Sequence, residues 1–267
     1  GGLISVVGIS TDANFLNTTM AIGDGVTFTL LTTNTNATPF GELFVLNTAT
    51  TPDGPRVLRF VARDRAGNVT APQDVPATID NASPFVEILS PTNTEVAGGT
   101  NLAVRLRVLD ANPRSFALIG RAASGTNRVL FVGDGSSLSA GEATVSVDAS
   151  AFADGPLALR IAATDRAGNF SRASNVFTND STPPMVAWIA PISTSNDANP
   201  IVGETADIRA TVSDMHFAYY VVLSRAGNAS FSVRLASNSA PVLNGIVATL
   251  NAGGFNGTNA VTLLARD

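Results

Sequence analysis

The side chains able to do chemistry are few, and most of them are aspartates. The single histidine, His216, follows Asp214 by two residues and precedes Tyr219 and Tyr220, which gathers a base, an acid and two phenols in one segment. No Gly-x-Ser-x-Gly nucleophile accompanies them, so the segment reads as a core strand rather than a catalytic centre. Tyr220 and Trp188 become contact anchors if they prove exposed. All sixteen basic residues are arginine, which removes Schiff-base and lysine–phosphate chemistry. The absence of cysteine removes thiol nucleophiles, disulfides and thiolate metal sites. The chain is therefore expected not to be an enzyme. What remains is a set of turn-borne oxygen donors: Asp80, Asn81, Asp110, Asn112, Asp165, Asn169, Asp180 and Asp214. Carboxylate and amide oxygens are hard ligands, and calcium takes six to eight of them. The same residue types also close turns by bonding local backbone, and spacing alone leaves both uses open.

The elements that must position these groups appear as a repeat. Asp53-Gly54-Pro55 to Ala66-Gly67-Asn68 recurs as Asp154-Gly155-Pro156 to Ala167-Gly168-Asn169, an offset of 165 − 64 = 101 residues between the central aspartates. A weaker copy runs from Asn256-Gly257-Thr258 to Asp267, where the Ala-Gly-Asn turn would follow, so the chain reads as part of a longer array. Within each copy apolar residues alternate: Leu58, Phe60 and Ala62; Leu159, Ile161 and Ala163; Val261, Leu263 and Ala265. Period two predicts a strand with one buried face, the other carrying Arg59 and Arg63 or Arg160 and Thr164. New strands open at Phe85 and Met185, and alternating runs at 102–110 and 206–214 both end in aspartate. Short strands at this density, separated by Gly, Asn, Ser and Pro and without an amphipathic helix, predict Greek-key β-sandwiches.

The string Asp-Gly, strand, Asp-x-Ala-Gly-Asn, acidic residue, Pro-containing linker, new strand resembles the tandem bacterial Ig-like domains of large surface and secreted proteins. The resemblance covers 85–267 best and departs where Arg56 and Leu157 stand in place of an aromatic. It implies an all-β fold of tandem immunoglobulin-like Greek-key sandwiches over 1–81 (short or incomplete), 82–181, and 182–267 (cut before its last strand). Taking Val26–Leu31 as the second strand of the first unit leaves that unit about 25 residues short.

In such a sandwich the loop after the second strand, the loop after the sixth and the entering chain meet at one end. That end gathers Asp80, Asn81, Asp110, Asn112, Asp165 and Asn169 at one joint, and Asp180 with Asp214 at the next. Calcium bound there would stiffen the array. A net charge of −5 without a basic cluster argues against nucleic acid, and no run of about 18 apolar residues signals a membrane span. The implied protein is extracellular and at the bacterial cell surface, a module of a surface layer, filament or adhesin stalk. A virion decoration module and an accessory array of a secreted hydrolase are the alternatives. Its partners are other copies of itself, lateral or end to end, with other surface proteins or glycans beyond them; sparsely charged sheet edges favour such pairing. Sequons at Asn17, Asn36, Asn68, Asn81, Asn169, Asn179, Asn228 and Asn256 are glycan acceptors only if the host glycosylates.

Overall fold

The computed structural model describes residues 2–123, 125–191, 203–227, 229–230, 232–251 and 258–267. The sequons at Asn228 and Asn256 lie outside them. The strands are β1 (Leu3–Ser10), β2 (Phe15–Gly23), β3 (Phe28–Asn34), β4 (Thr38–Asn47), β5 (Gly54–Asp64), β6 (Gln73–Ile79) and β7 (Phe85–Ser90). They continue as β8 (Val96–Ala97), β9 (Leu102–Leu109), β10 (Pro113–Ala122), β11 (Asn127–Asp134), β12 (Glu142–Val147), β13 (Gly155–Asp165) and β14 (Phe170–Asn179). The last are β15 (Met185–Ala190), β16 (Thr205–Ser213), β17 (Tyr219–Ala226), β18 (Val233–Asn238), β19 (Val242–Asn251) and β20 (Asn259–Arg266). Among the described residues there is no α-helix, only two single 3₁₀ turns at Thr48–Thr50 and Gly135–Ser137.

One topology recurs three times. The sheets are β1-β4 with β3-β2-β5-β6, then β12-β9-β7 with β11-β10-β13-β14-β8, then β15-β16-β19 with β18-β17-β20. Each set places its first long strand beside its fourth, and its second beside its third and fifth, which is the immunoglobulin-like Greek key. The chain is all-β, built of tandem sandwiches of that kind.

The alternation explains the cores. In β13, Leu157, Leu159, Ile161 and Ala163 are at most 2% exposed. Around the first set, Met20, Phe44, Leu46, Leu58 and Ile79 pack together with Phe60. In the third, Ile208, Val212, Tyr220 and Val222 do so, flanked by Val261, Leu263 and Ala265. Arg59 points the other way, pairing with Asp74 at 2.7 Å and lying over the Phe28 ring. Gly67 and Gly168 sit at φ of +91° and +89°, where a side chain would be strained. They close matched turns in which the aspartate N–H donates to the asparagine carbonyl, Asp64 to Asn68 and Asp165 to Asn169.

The chain divides into two compact units: Gly1–Glu95, Ala103–Val147 and Pro156–Phe177, then Val96–Leu102, Asp148–Gly155 and Thr178–Asp267.

One expectation is corrected. Residues 28–34 form β3, which pairs with β2; they are not the second strand of a shortened unit. The strand equivalent to β9 and β16 is β1, paired with β4 as those are with β12 and β19. From the end of β1 to Asp64 is 64 − 10 = 54 residues, against 165 − 109 = 56 from the end of β9 to Asp165, so no strands are missing between these markers.

Candidate functional site: two acidic joints

The linker 80–84, between β6 and β7, begins with Asp80, and the linker 180–184, between β14 and β15, begins with Asp180. Each meets a loop that follows an equivalent strand. After β9, the Asn112 N–H donates to Asp110 Oδ1 at 2.7 Å while the Asn112 side-chain amide donates to Asp80 Oδ2 at 2.7 Å. After β16, the His216 N–H donates to Asp214 Oδ1 at 2.8 Å while His216 Nδ1 is hydrogen-bonded to Asp180 Oδ2 at 2.6 Å. One device thus serves both joints. An aspartate orders the turn, and the residue two positions on grips the linker aspartate.

The turn half of the device recurs at Asp12-Ala13-Asn14, where the Asn14 N–H donates to Asp12 Oδ1 at 2.7 Å. The Arg65 N–H donates to the Asn14 carbonyl, as Arg166 does to Asn112. The repeated Asp-Ala-Asn at 12–14 and 110–112 was the signal for it, hidden by the misplaced second strand. In sequence His216 stands beside Asp214 and the tyrosines; its side-chain partner is Asp180, 36 residues away.

The first joint brings Asp80, Asp110 and Asp165 together, with ligand oxygens all within 4.8 Å of one another. Asp165 is fully buried and accepts from the Asn169 N–H and side-chain amide at 2.8 and 2.7 Å. That amide also donates to the carbonyls of Asp80 and Ala82, tying the linker to the turn. Among the described residues no cation pairs with any of the three carboxylates. Burial, then the neighbouring charges of Asp80 and Asp165, push the Asp110 carboxyl above its ordinary value.

Asn81 is placed elsewhere. Its side chain donates to the carbonyls of Thr48 and Thr51 and to Asp53, and accepts from the Thr48 hydroxyl, holding the loop before β5. Asn179 does the same work for the loop before β13, reaching the carbonyls of Ala149, Phe152 and Ala153. The side-chain amides of Asn81, Asn169 and Asn179 are thus engaged, whereas Asn36 is exposed in the loop between β3 and β4. Tyr220 is buried, so it is no contact anchor; Trp188 is 38% exposed and donates its indole N–H to the Pro191 carbonyl.

The second joint gathers Asp180, Asp214 and His216, again with ligand atoms within 4.8 Å. A cavity of about 330 Å³ opens beside it, lined by Gly98, Gly99, Asp180, His216 and Asp267 among others. Gly98 has no room for a side chain, since a Cβ there would lie 1.9 Å from the Asp180 carbonyl oxygen.

Fold and joints together define a tandem array of Ig-like sandwiches with acid-lined linkers. No protein-family pattern matches the chain, and no curated protein does. Solved structures similar to it include a tetra-tandem repeat in the extending region of a large adhesion protein, at TM-score 0.36 and 16% identity over 99% of this chain and 75% of that one. A 1.5-MDa bacterial ice-binding adhesin matches at TM-score 0.30 and 15% identity, covering 95% and 81%. The FN1–FN3 domains of chicken CNTN1 match at TM-score 0.32 and 13% identity, covering 99% and 91%. No helix among the described residues is long and apolar enough to cross a membrane.

Proposed function

We propose that this chain is a spacer segment of an extracellular surface protein, a structural module rather than an enzyme, whose joint at Asp80, Asp110 and Asp165 is tightened by calcium. The observation that carries this is the recurrence of the Asp-x-Asn/His grip on the linker aspartate at equivalent places. A single pair of hydrogen bonds at one linker is ordinary; the same pair rebuilt about a hundred residues later is a repeated device for holding the linker. Asp80, Asp110 and Asp165 fit calcium by donor type, and a dication would neutralise carboxylates that face each other without a cation. Limited digestion with a broad-specificity protease tests it. Cutting within 80–84 is expected to slow several-fold in calcium relative to chelator. Equal cutting in both overturns the calcium assignment.

A further inference from the structure

We infer that Asp180, Asp214 and His216 form a site for a borderline divalent transition metal of the Zn²⁺ type, chemically distinct from the all-oxygen cluster of Asp80, Asp110 and Asp165. The two joints share a scaffold and differ at one position, the gripping residue. In the first, the Asn112 amide nitrogen reaches Asp80 but has no lone pair to give a metal. In the second, an imidazole occupies the same place, and imidazole nitrogen suits zinc, cobalt and nickel while adding little for calcium.

The remaining features suit an ion. The Asp180 side chain is only 7% exposed, and among the described residues its carboxylate is hydrogen-bonded to His216 alone, through Oδ2, which leaves Oδ1 open to an ion. The close approach of Gly98 to the Asp180 carbonyl fixes the backbone that carries this carboxylate. Two carboxylates and a neutral imidazole carry a net charge of −2, which a dication neutralises. The ion would take the place of the proton between Asp180 Oδ2 and His216 Nδ1. Bonds of about 2.0–2.1 Å set tetrahedral donors roughly 3.3 Å apart. The three donors, within 4.8 Å of one another, therefore need to close by at most about 1.5 Å, within reach of side-chain rotation. The adjoining cavity of about 330 Å³, lined also by Asp267, gives an entry path and room for a water or a further carboxylate as fourth ligand. The inference stands whether or not the first joint takes calcium.

The full chain, stripped of metal, is titrated with ZnCl₂ in the presence of excess CaCl₂, by calorimetry and by the NMR signals of its single histidine. One equivalent is expected to bind and shift the His216 resonances, with no competition from calcium. His216→Asn rebuilds the grip seen at Asn112 and is expected to keep the chelated melting temperature while weakening zinc about tenfold or more. Asn112→His is expected to create a second equivalent at the first joint when calcium is omitted. Zinc binding that is absent, that calcium displaces, or that His216→Asn leaves unchanged overturns the assignment. Should His216→Asn not fold, Asn112→His decides alone: no second equivalent overturns it.

Discussion

Replacing Asn179 by alanine is expected to cost about 1–3 kcal/mol. Asn179 is fully buried, and its amide is the shared donor to the carbonyls of Ala149, Phe152 and Ala153. Its carbonyl oxygen accepts from the Ser181 hydroxyl, whose oxygen in turn accepts from the Gly99 N–H. The substitution removes this donor from all three carbonyls; that of Ala149 keeps the Phe152 N–H, and the cost is the lost bonds together with a vacancy at a fully buried position. A transition lowered by roughly 10 °C, read by calorimetry, is the expected scale for a domain of this size. Asn179→Asp, which keeps the shape but puts an acceptor against acceptors, should be at least as damaging. A loss under about 0.5 kcal/mol for both variants would show that the loop before β13 does not depend on this side chain.

Asp110→Asn should act in opposite directions in two media. In chelator at neutral pH the Asp110 carboxylate is held charged against burial, then against Asp80 and Asp165. The amide removes that charge and keeps an oxygen for the Asn112 N–H, so the variant should melt a few degrees higher. In calcium it should melt lower, because a ligand is gone; at a hundredfold excess over Kd, bound calcium contributes about 2.7 kcal/mol to the wild type alone.

The pH dependence in chelator follows from the direction of the shift. A carboxyl whose folded value lies above its ordinary 3.8 contributes stability that is complete below that value and is lost as pH rises through the folded one. The advantage of Asp110→Asn should therefore shrink as the pH falls towards 4. Other carboxyls run the opposite way: Asp64, held low first by the Asn68 amide, and Asp154, held low first by the Thr182 hydroxyl, lose their contribution on acidification. The comparison must accordingly be the difference between wild type and variant, not the wild-type profile alone. A variant that melts lower in both media would show that Asp110 is a turn-forming residue and nothing more.

The parts of the fold legible in the sequence were those where one physical constraint acts on one residue. Period-two burial in β5, β13 and β20 could be read off Leu58, Leu159 and Leu263 because each strand has one wet face. The turns were legible because only glycine tolerates the positive φ of Gly67 and Gly168. Strand β1 was missed because Leu-Ile-Ser-Val-Val carries apolar residues on both faces, several of them exposed, so no period marks it. At the sites, oxygen donors were legible by type, since Asp and Asn belong in such loops. Their pairings were not, because partners are set by which loops the sandwich brings to one end. Asn81 turned toward the carbonyls of Thr48 and Thr51, and His216 found an aspartate from another linker.

The grip between Asn112 or His216 and the preceding aspartate bears on how such chains change length over generations. The 101-residue period carries a linker aspartate at its trailing end and the residue that holds such an aspartate near its leading end. A gene duplication that copies any one period therefore copies both halves of a junction, and every new boundary arrives already complementary on its two sides. Unequal crossing-over between copies conserves that match as well. Reach can then be lengthened or shortened in whole repeats without any compensating substitution.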